Sequence, residues 1–224
     1  MSSQREFKDP LYAQFARIGH ALSTPRRIEF LDLLAQAERT VAELAEETGT
    51  PIKNTSAHLR ALRLAGLVET RKDAQFVHYR LAGEDVHRLV QQLQAVAHDR
   101  FAEVERVTNE YLDGRDDLEA ISVRELQRRM REDDVTVIDV RPRAEYESGH
   151  IPGALSLPID QLRRGAVALP KRKEIVAYCR GRYCVYAVDA VNLLRKRGHT
   201  AVRLVEGLPG WRRDVRTIAT GTDR

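Results

Sequence analysis

Both cysteines of this 224-residue chain lie in one short stretch, Val176-Ala177-Tyr178-Cys179-Arg180-Gly181-Arg182-Tyr183-Cys184-Val185. The residues before Cys179, Glu174 to Tyr178, form a short apolar run of the kind that makes a buried strand. Those after the second cysteine, Val185 to Arg195, read as a helix stopped by Gly198. A cysteine on such a turn faces the unpaired N–H groups of the loop and the first helical turn, with the helix dipole behind them. Arg180 and Arg182 add full positive charges nearby. This setting favours thiolate over thiol, so Cys179 is expected to be a nucleophile with a lowered pKa. Cys184 equally fits a small core residue. Five positions apart in a turning segment, the two could also approach to disulfide distance.

The stretch resembles the active-site loop of the rhodanese family, and two further blocks strengthen the likeness. Upstream, Val137-Ile138-Asp139-Val140-Arg141 is followed by Glu145-Tyr146, Gly149-His150-Ile151-Pro152-Gly153-Ala154 and Leu157-Pro158. Downstream stands Glu206-Gly207-Leu208-Pro209-Gly210-Trp211. The likeness spans about Ile121 to Arg216. It implies an α/β domain with a parallel sheet and a Cys179 that carries sulfane sulfur as a persulfide. Asp139, ending an earlier strand, would lie at the same carboxyl edge of the sheet, where such folds bind ligands. Two positions depart from the family pattern: Cys184 stands where many members have Ser or Thr, and the loop glycine comes early, at Gly181. The related phosphatases need an arginine six residues after the cysteine, and Val185 stands there. A persulfide on Cys179 would be open to attack by Cys184, closing a disulfide and releasing sulfide.

Composition bounds the setting of this loop. Two cysteines make no disulfide framework and suit a reducing cytoplasm. The N-terminal residues begin no signal peptide, and no apolar run approaches a membrane span. The chain is long enough for two domains, expected at 1–115 and 120–217 and joined through the polar, glycine-broken stretch Tyr111 to Asp117. Ser122, with Glu125 three residues on, should cap a helix reaching Met130. The tail after Arg216 is expected to fray.

The first half reads as helices with a hairpin. Pro10–Ala21 and Pro25–Ala37 have helical spacing, the second with Thr24 as N-cap and Pro25 at its first position. A short helix from Thr40 ends at Gly49, and a second runs from Pro51 to Leu64, the helix-turn-helix pattern. Val68–Arg71 and Phe76–Leu81 alternate like the strands of a hairpin. Together these make a winged helix. On the second helix of the pair, Thr55, Leu59 and Leu62 are spaced to pack inward. Lys53, Asn54, Ser56, Ala57, His58 and Arg60 lie around the remainder, with groups able to read base edges or hold phosphates. Residues 1–115 carry 16 Lys+Arg against 17 Asp+Glu, so any nucleic-acid site must be a local patch. Lys53, Arg60, Arg63, Arg71, Lys72 and Arg80 supply one. Candidate DNA contacts are therefore Lys53, Asn54, Ser56, His58, Arg60, Arg71 and Lys72.

This region resembles the arsenic-repressor-like (ArsR) family of bacterial winged-helix regulators, on Ser56-Ala57-His58-Leu59-Arg60-Ala61-Leu62-Arg63, Ala65-Gly66-Leu67-Val68 and His78-Tyr79-Arg80-Leu81. The resemblance implies a homodimer on an inverted repeat of double-stranded operator DNA. Val86, Val90, Leu93, Ala97, Phe101, Val104 and Tyr111 form one apolar stripe on a long helix, which needs its own domain or a partner. Family members often bind metal through cysteines in the third helix, where this chain has Thr40 and Ala42. A second family pattern uses Asp-x-His and two later ligands on the last helix. Asp85, His87 and His98 fit it, but the fourth position is Phe101, and no metal or other cofactor is expected.

Three functions fit these features: a regulator sensing reactive sulfur, a sulfurtransferase placed by its winged helix, or a metal-responsive repressor with an inert second domain. The intact nucleophile and flanking arginines speak against the third. The polar face from Lys53 to Arg60 speaks against the second. The expected protein is a cytoplasmic DNA-binding regulator. Its small-molecule partner is a sulfane-sulfur donor or oxidant acting at Cys179, Arg180, Arg182 and Asp139, with Cys184 as a second switch cysteine.

Overall fold

The computed structural model describes residues 2–112, 120–165, 169–170 and 172–221. The chain divides into two compact units, Met1–Arg100 and Phe101–Arg224. The expected linker residues 113–117 lie outside the described residues. No helix among those described is long and apolar enough to cross a membrane.

The first unit is built of α1 (Ser2–Leu22), α2 (Pro25–Leu34), β1 (Arg39–Thr40), α3 (Val41–Thr48), α4 (Ile52–Leu64), β2 (Val68–Asp73), β3 (Phe76–Leu81) and α5 (Glu84–Arg100). Helix α1 begins earlier than expected and runs through Pro10. Thr24 makes no side-chain capping bond, although Pro25 opens α2 as expected. Thr40 instead forms a full capping box with Glu43 at the start of α3, which Gly49 ends at φ 60°. The strands pair antiparallel in the order β1-β3-β2, with the hairpin turning at Ala74 and Gln75. Phe30, Leu31, Leu44, Leu59 and Leu62 form the centre of the core, and Val86 and Val90 of α5 pack into it.

The expected long helix is interrupted at Phe101. A new helix, α6 (Ala102–Leu112), starts there, with the Phe101 carbonyl accepting from the Val104 N–H. No proline or glycine marks the interruption. The apolar stripe is therefore divided: its α5 part belongs to the first unit and its α6 part to the second.

The second unit continues with β4 (Ala120–Ile121), α7 (Val123–Arg131), β5 (Val135–Asp139), α8 (Arg143–Ser148), β6 (Leu155–Ser156), α9 (Ile159–Arg164), β7 (Glu174–Tyr178), α10 (Val185–Lys196), β8 (Ala201–Leu204) and α11 (Gly207–Asp214). Its sheet is parallel throughout, in the order β4-β8-β7-β5-β6, with β7 at the centre. The alternation along β7 sends Ile175, Ala177 and Cys179 into the cluster shared with α9 and α10. Val176 and Tyr178 enter the opposite one, shared with α7 and α11. Asp139 pairs in register with Tyr178, so both strands finish at one edge and Cys179 begins the loop there.

Two local expectations need correction. At Ser122 the hydroxyl accepts the Glu125 N–H as expected, but the Glu125 carboxylate is held by Arg128 and Arg129. These arginines hold it well below the usual carboxylate range, at about 2. The residues after Arg216 do not fray as a whole. His150 and Ala219 exchange two backbone hydrogen bonds of 2.9 and 3.0 Å, Gly221 donates to the Glu147 carbonyl, and Trp211 Nε1 donates to the Thr217 carbonyl. The end of the expected tail, residues 222–224, lies outside the described residues.

Candidate functional site

The cysteine loop is set by the elements on either side of it. Cys179 leaves the end of β7 with 1% of its surface exposed. Cys184 is the N-cap residue of α10 and is half-buried; its N–H donates to the Gly181 carbonyl. The loop is clamped from behind by the first turn of α11, where the Leu208 N–H donates to the Cys179 carbonyl. At Gly207, φ is 57° and a Cβ would stand 2.3 Å from the Cys179 carbonyl oxygen, so only glycine fits. With the loop curled this tightly, the Cys179 and Cys184 Cα atoms are 6.1 Å apart and their sulfurs are joined in a disulfide. This spacing lies inside the range a disulfide requires. In this state neither cysteine is a nucleophile.

The charged groups around the loop are arranged differently from the expectation. Arg180 is a half-buried side chain whose Nε lies 3.0–3.1 Å from both carboxylate oxygens of Glu145, itself fully buried on α8. Its guanidinium also lies 5.6 Å from the centre of the Tyr186 ring. The positive charge of Arg180 is therefore matched by a carboxylate brought from 35 residues away, and it reaches Cys179 much diminished. Arg182 is exposed. Asp139 is fully buried, and its carboxylate accepts from the Arg141 backbone N–H and from Nε and Nη2 of the equally buried Arg141. Arg141 reaches further to the Gly149 carbonyl at 2.7 Å and lies over the Tyr178 ring. The Tyr178 hydroxyl accepts from the Ile151 N–H. Burial, reinforced by Asp139, pushes the Tyr178 phenol well above its ordinary pKa. Asp139 thus holds the strand ends that carry the loop, and its carboxylate is taken up by Arg141. Glu145 and Arg141 belong to the block that resembles the rhodanese signature, with no role assigned to either. Glu145 pairs with Arg180 and Arg141 with Asp139, and the only signal in the sequence is that Arg141 stands two residues after Asp139.

The second candidate site is the face of α4. Thr55, Leu59 and Leu62 are buried as their spacing requires. Lys53, Asn54, Ser56, Ala57 and Arg60 are exposed. His58 differs, half-buried with its ring edge-on to Phe30 at 6.0 Å. On the hairpin, Arg71 is engaged by Glu38 at 2.9 Å and Asp73 at 3.1 Å, which raise its pKa, and Arg80 pairs with Glu69. Lys53, Arg60, Arg63 and Lys72 make no ion pair among the described residues, so the cationic patch is narrower than the sequence suggests.

Residues 122–214 match the family described as rhodanese-like domain, and residues 24–70 match bacterial regulatory protein, arsR family. Over 95% of this chain and 93% of its own length, the HTH-type transcriptional regulator Rv0324 of Mycobacterium tuberculosis is 45% identical. The chain belongs to the ArsR-family regulators that carry a C-terminal rhodanese-like domain. Two solved structures are similar to its separate halves. One is the homodimeric winged helix-turn-helix DNA-binding domain Mb0332 from Mycobacterium bovis, 46% identical, covering 45% of this chain and 94% of that one with a TM-score of 0.42. The other is a rhodanese-related protein from Thermoplasma volcanium, 24% identical, covering 45% and 97% with a TM-score of 0.41.

In this ArsR-family regulator the Asp85, His87 and His98 set does not converge. His87 is buried, with Nδ1 3.4 Å from Glu84, while His98 lies eleven residues further along the same helix. At 1.5 Å per residue that separation is about 16 Å, too far for one ion within one chain. No group of three metal-ligating side chains is found among the described residues.

Proposed function

We propose that this regulator is a DNA-binding homodimer that reads reactive sulfur or redox state through Cys179 and Cys184. The observation that carries the reading is the bonded cysteine pair at the mouth of a rhodanese-like fold. In the reduced loop, Cys179 thiolate takes the outer sulfur of a sulfane donor and becomes a persulfide, and the donor leaves with one sulfur fewer. Cys184 thiolate then attacks the inner Cys179 sulfur, the disulfide forms, and the outer sulfur leaves as hydrosulfide. The two cysteine sulfurs are oxidised and the sulfane sulfur is reduced, so electrons balance. Exposed apolar side chains on both long helices of the first unit, Phe7, Tyr12 and Phe15 on α1 and Leu89 and Val96 on α5, support the dimer.

The DNA-binding part of the reading has its own test. The dimer should bind duplex DNA with half-sites about one helical turn apart. Lys72→Ala should weaken binding to specific and random DNA alike and reduce the salt slope by about one. Asn54→Ala and His58→Ala should instead relax base preference, by about 1–3 kcal/mol at the base concerned. A titration in which all three variants lose equally on both DNAs would count against α4 as the reading helix.

Zinc should shift operator affinity by less than about tenfold, 1.4 kcal/mol of coupling. A larger shift, abolished by His98→Ala, would show that α5 holds a metal after all.

A further inference from the structure

The residues on either side of Cys184 also wall a cavity. Tyr183 and Val185 form one side of a space of about 480 Å³, and Val104, Val107, Thr108 and Tyr111 of α6 form the other. This is the size of a small-molecule site. The lining is almost wholly apolar; Glu103 also borders it, with its carboxylate paired to Arg106. Of the cations near the cysteine pair, Arg180 is matched by Glu145 and Arg141 by Asp139, while Arg182 is exposed in the loop. The described residues lining the cavity include no cation to hold a doubly charged inorganic donor such as thiosulfate, whereas an apolar organic group gains by leaving water there.

We propose that this cavity binds the apolar organic group of a persulfide, R–S–SH, and so sets which sulfur donor the loop answers to. The inference rests on the sulfur-sensing reading above and adds the class of donor. With R seated against Tyr183, Val185 and α6, the persulfide is held beside the segment that carries Cys184. Cys179 thiolate takes the outer sulfur as Cys179–S–SH and R–S⁻ leaves. Attack by Cys184 thiolate then closes the disulfide and releases HS⁻. The sum is one persulfide and two thiolates giving one disulfide, R–S⁻ and HS⁻, with hydrogen and charge conserved.

The test uses the reduced full-length protein and follows Cys179–Cys184 closure by mass spectrometry. The donors are a benzyl persulfide, glutathione persulfide, thiosulfate and inorganic polysulfide. The aromatic persulfide should close the pair about tenfold faster than the hydrophilic one, the lower end of what an apolar pocket discriminates. Val107 is 53% exposed, so Val107→Glu should fold; it should bring that ratio close to one, while Val107→Leu should keep it. A ratio unchanged in Val107→Glu, or thiosulfate matching the aromatic persulfide, overturns the cavity assignment. Closure by inorganic polysulfide without any preference among organic donors overturns that assignment and leaves the sensing reading standing. Failure of every donor to close the pair overturns both.

Discussion

A Cys184→Ser chain is expected to take one sulfane sulfur onto Cys179 and then stop. Cys179→Ser should take up none. The difference follows from position: Cys179 begins the loop at the end of the central strand, and Cys184 sits across the curl with its Cα 6.1 Å away. Serine at 184 keeps the N-cap of α10 and improves it, since a hydroxyl can accept from the first helical turn while Cys184 makes no such bond. The variant should therefore fold as the parent does, and its mass after polysulfide treatment should rise by one sulfur without losing the two hydrogens of disulfide closure. Both variants should lose the DNA response, moving operator affinity by less than about twofold where the parent moves by about tenfold, or 1.4 kcal/mol. A Cys184→Ser protein with the full response would leave Cys179 as the sole sensor.

The largest effect on stability should come from the buried pair beneath the loop. Asp139 and Arg141 are both fully buried, and Arg141 also satisfies the Gly149 carbonyl. Arg141→Met removes the cation and leaves a carboxylate in the interior, at a cost of about 3–5 kcal/mol. The paired variant Asp139→Leu/Arg141→Met should recover much of that, because it removes both charges together. The chain has a single tryptophan, Trp211, buried in the second unit. Urea unfolding followed by tryptophan fluorescence therefore reports this unit, and a shift under about 1 kcal/mol for Arg141→Met would contradict the role given to the pair.

How much of this was legible in the sequence depends on the range of the interaction. The strand before Cys179, the helix after Cys184 and the inward face of α4 follow from local periodicity, which neighbours in the chain determine. The two units follow from blocks of residues whose order resembles known families. The pairing of Arg180 with Glu145 was not legible, because it joins residues 35 apart through the order of strands in the sheet. That pairing matters, since it cancels a charge that loop sequence alone assigns to Cys179. The return of Ala219 to His150 is hidden for the same reason, and the interruption at Phe101 carries no glycine or proline to announce it. On the surface the partners are nearer in sequence: Asp73 stands two residues from Arg71, and Glu69 faces Arg80 across the hairpin.

If the cysteine pair controls DNA binding, one titration shows both together. Operator DNA is titrated with the reduced protein and with the same protein after inorganic polysulfide, and the Cys179–Cys184 peptide is weighed in each sample. The expected result is a change in operator affinity of about tenfold or more that appears with the disulfide and disappears when a thiol reductant opens it. Equal affinities for samples shown by mass to be fully reduced and fully closed would uncouple the disulfide from DNA binding.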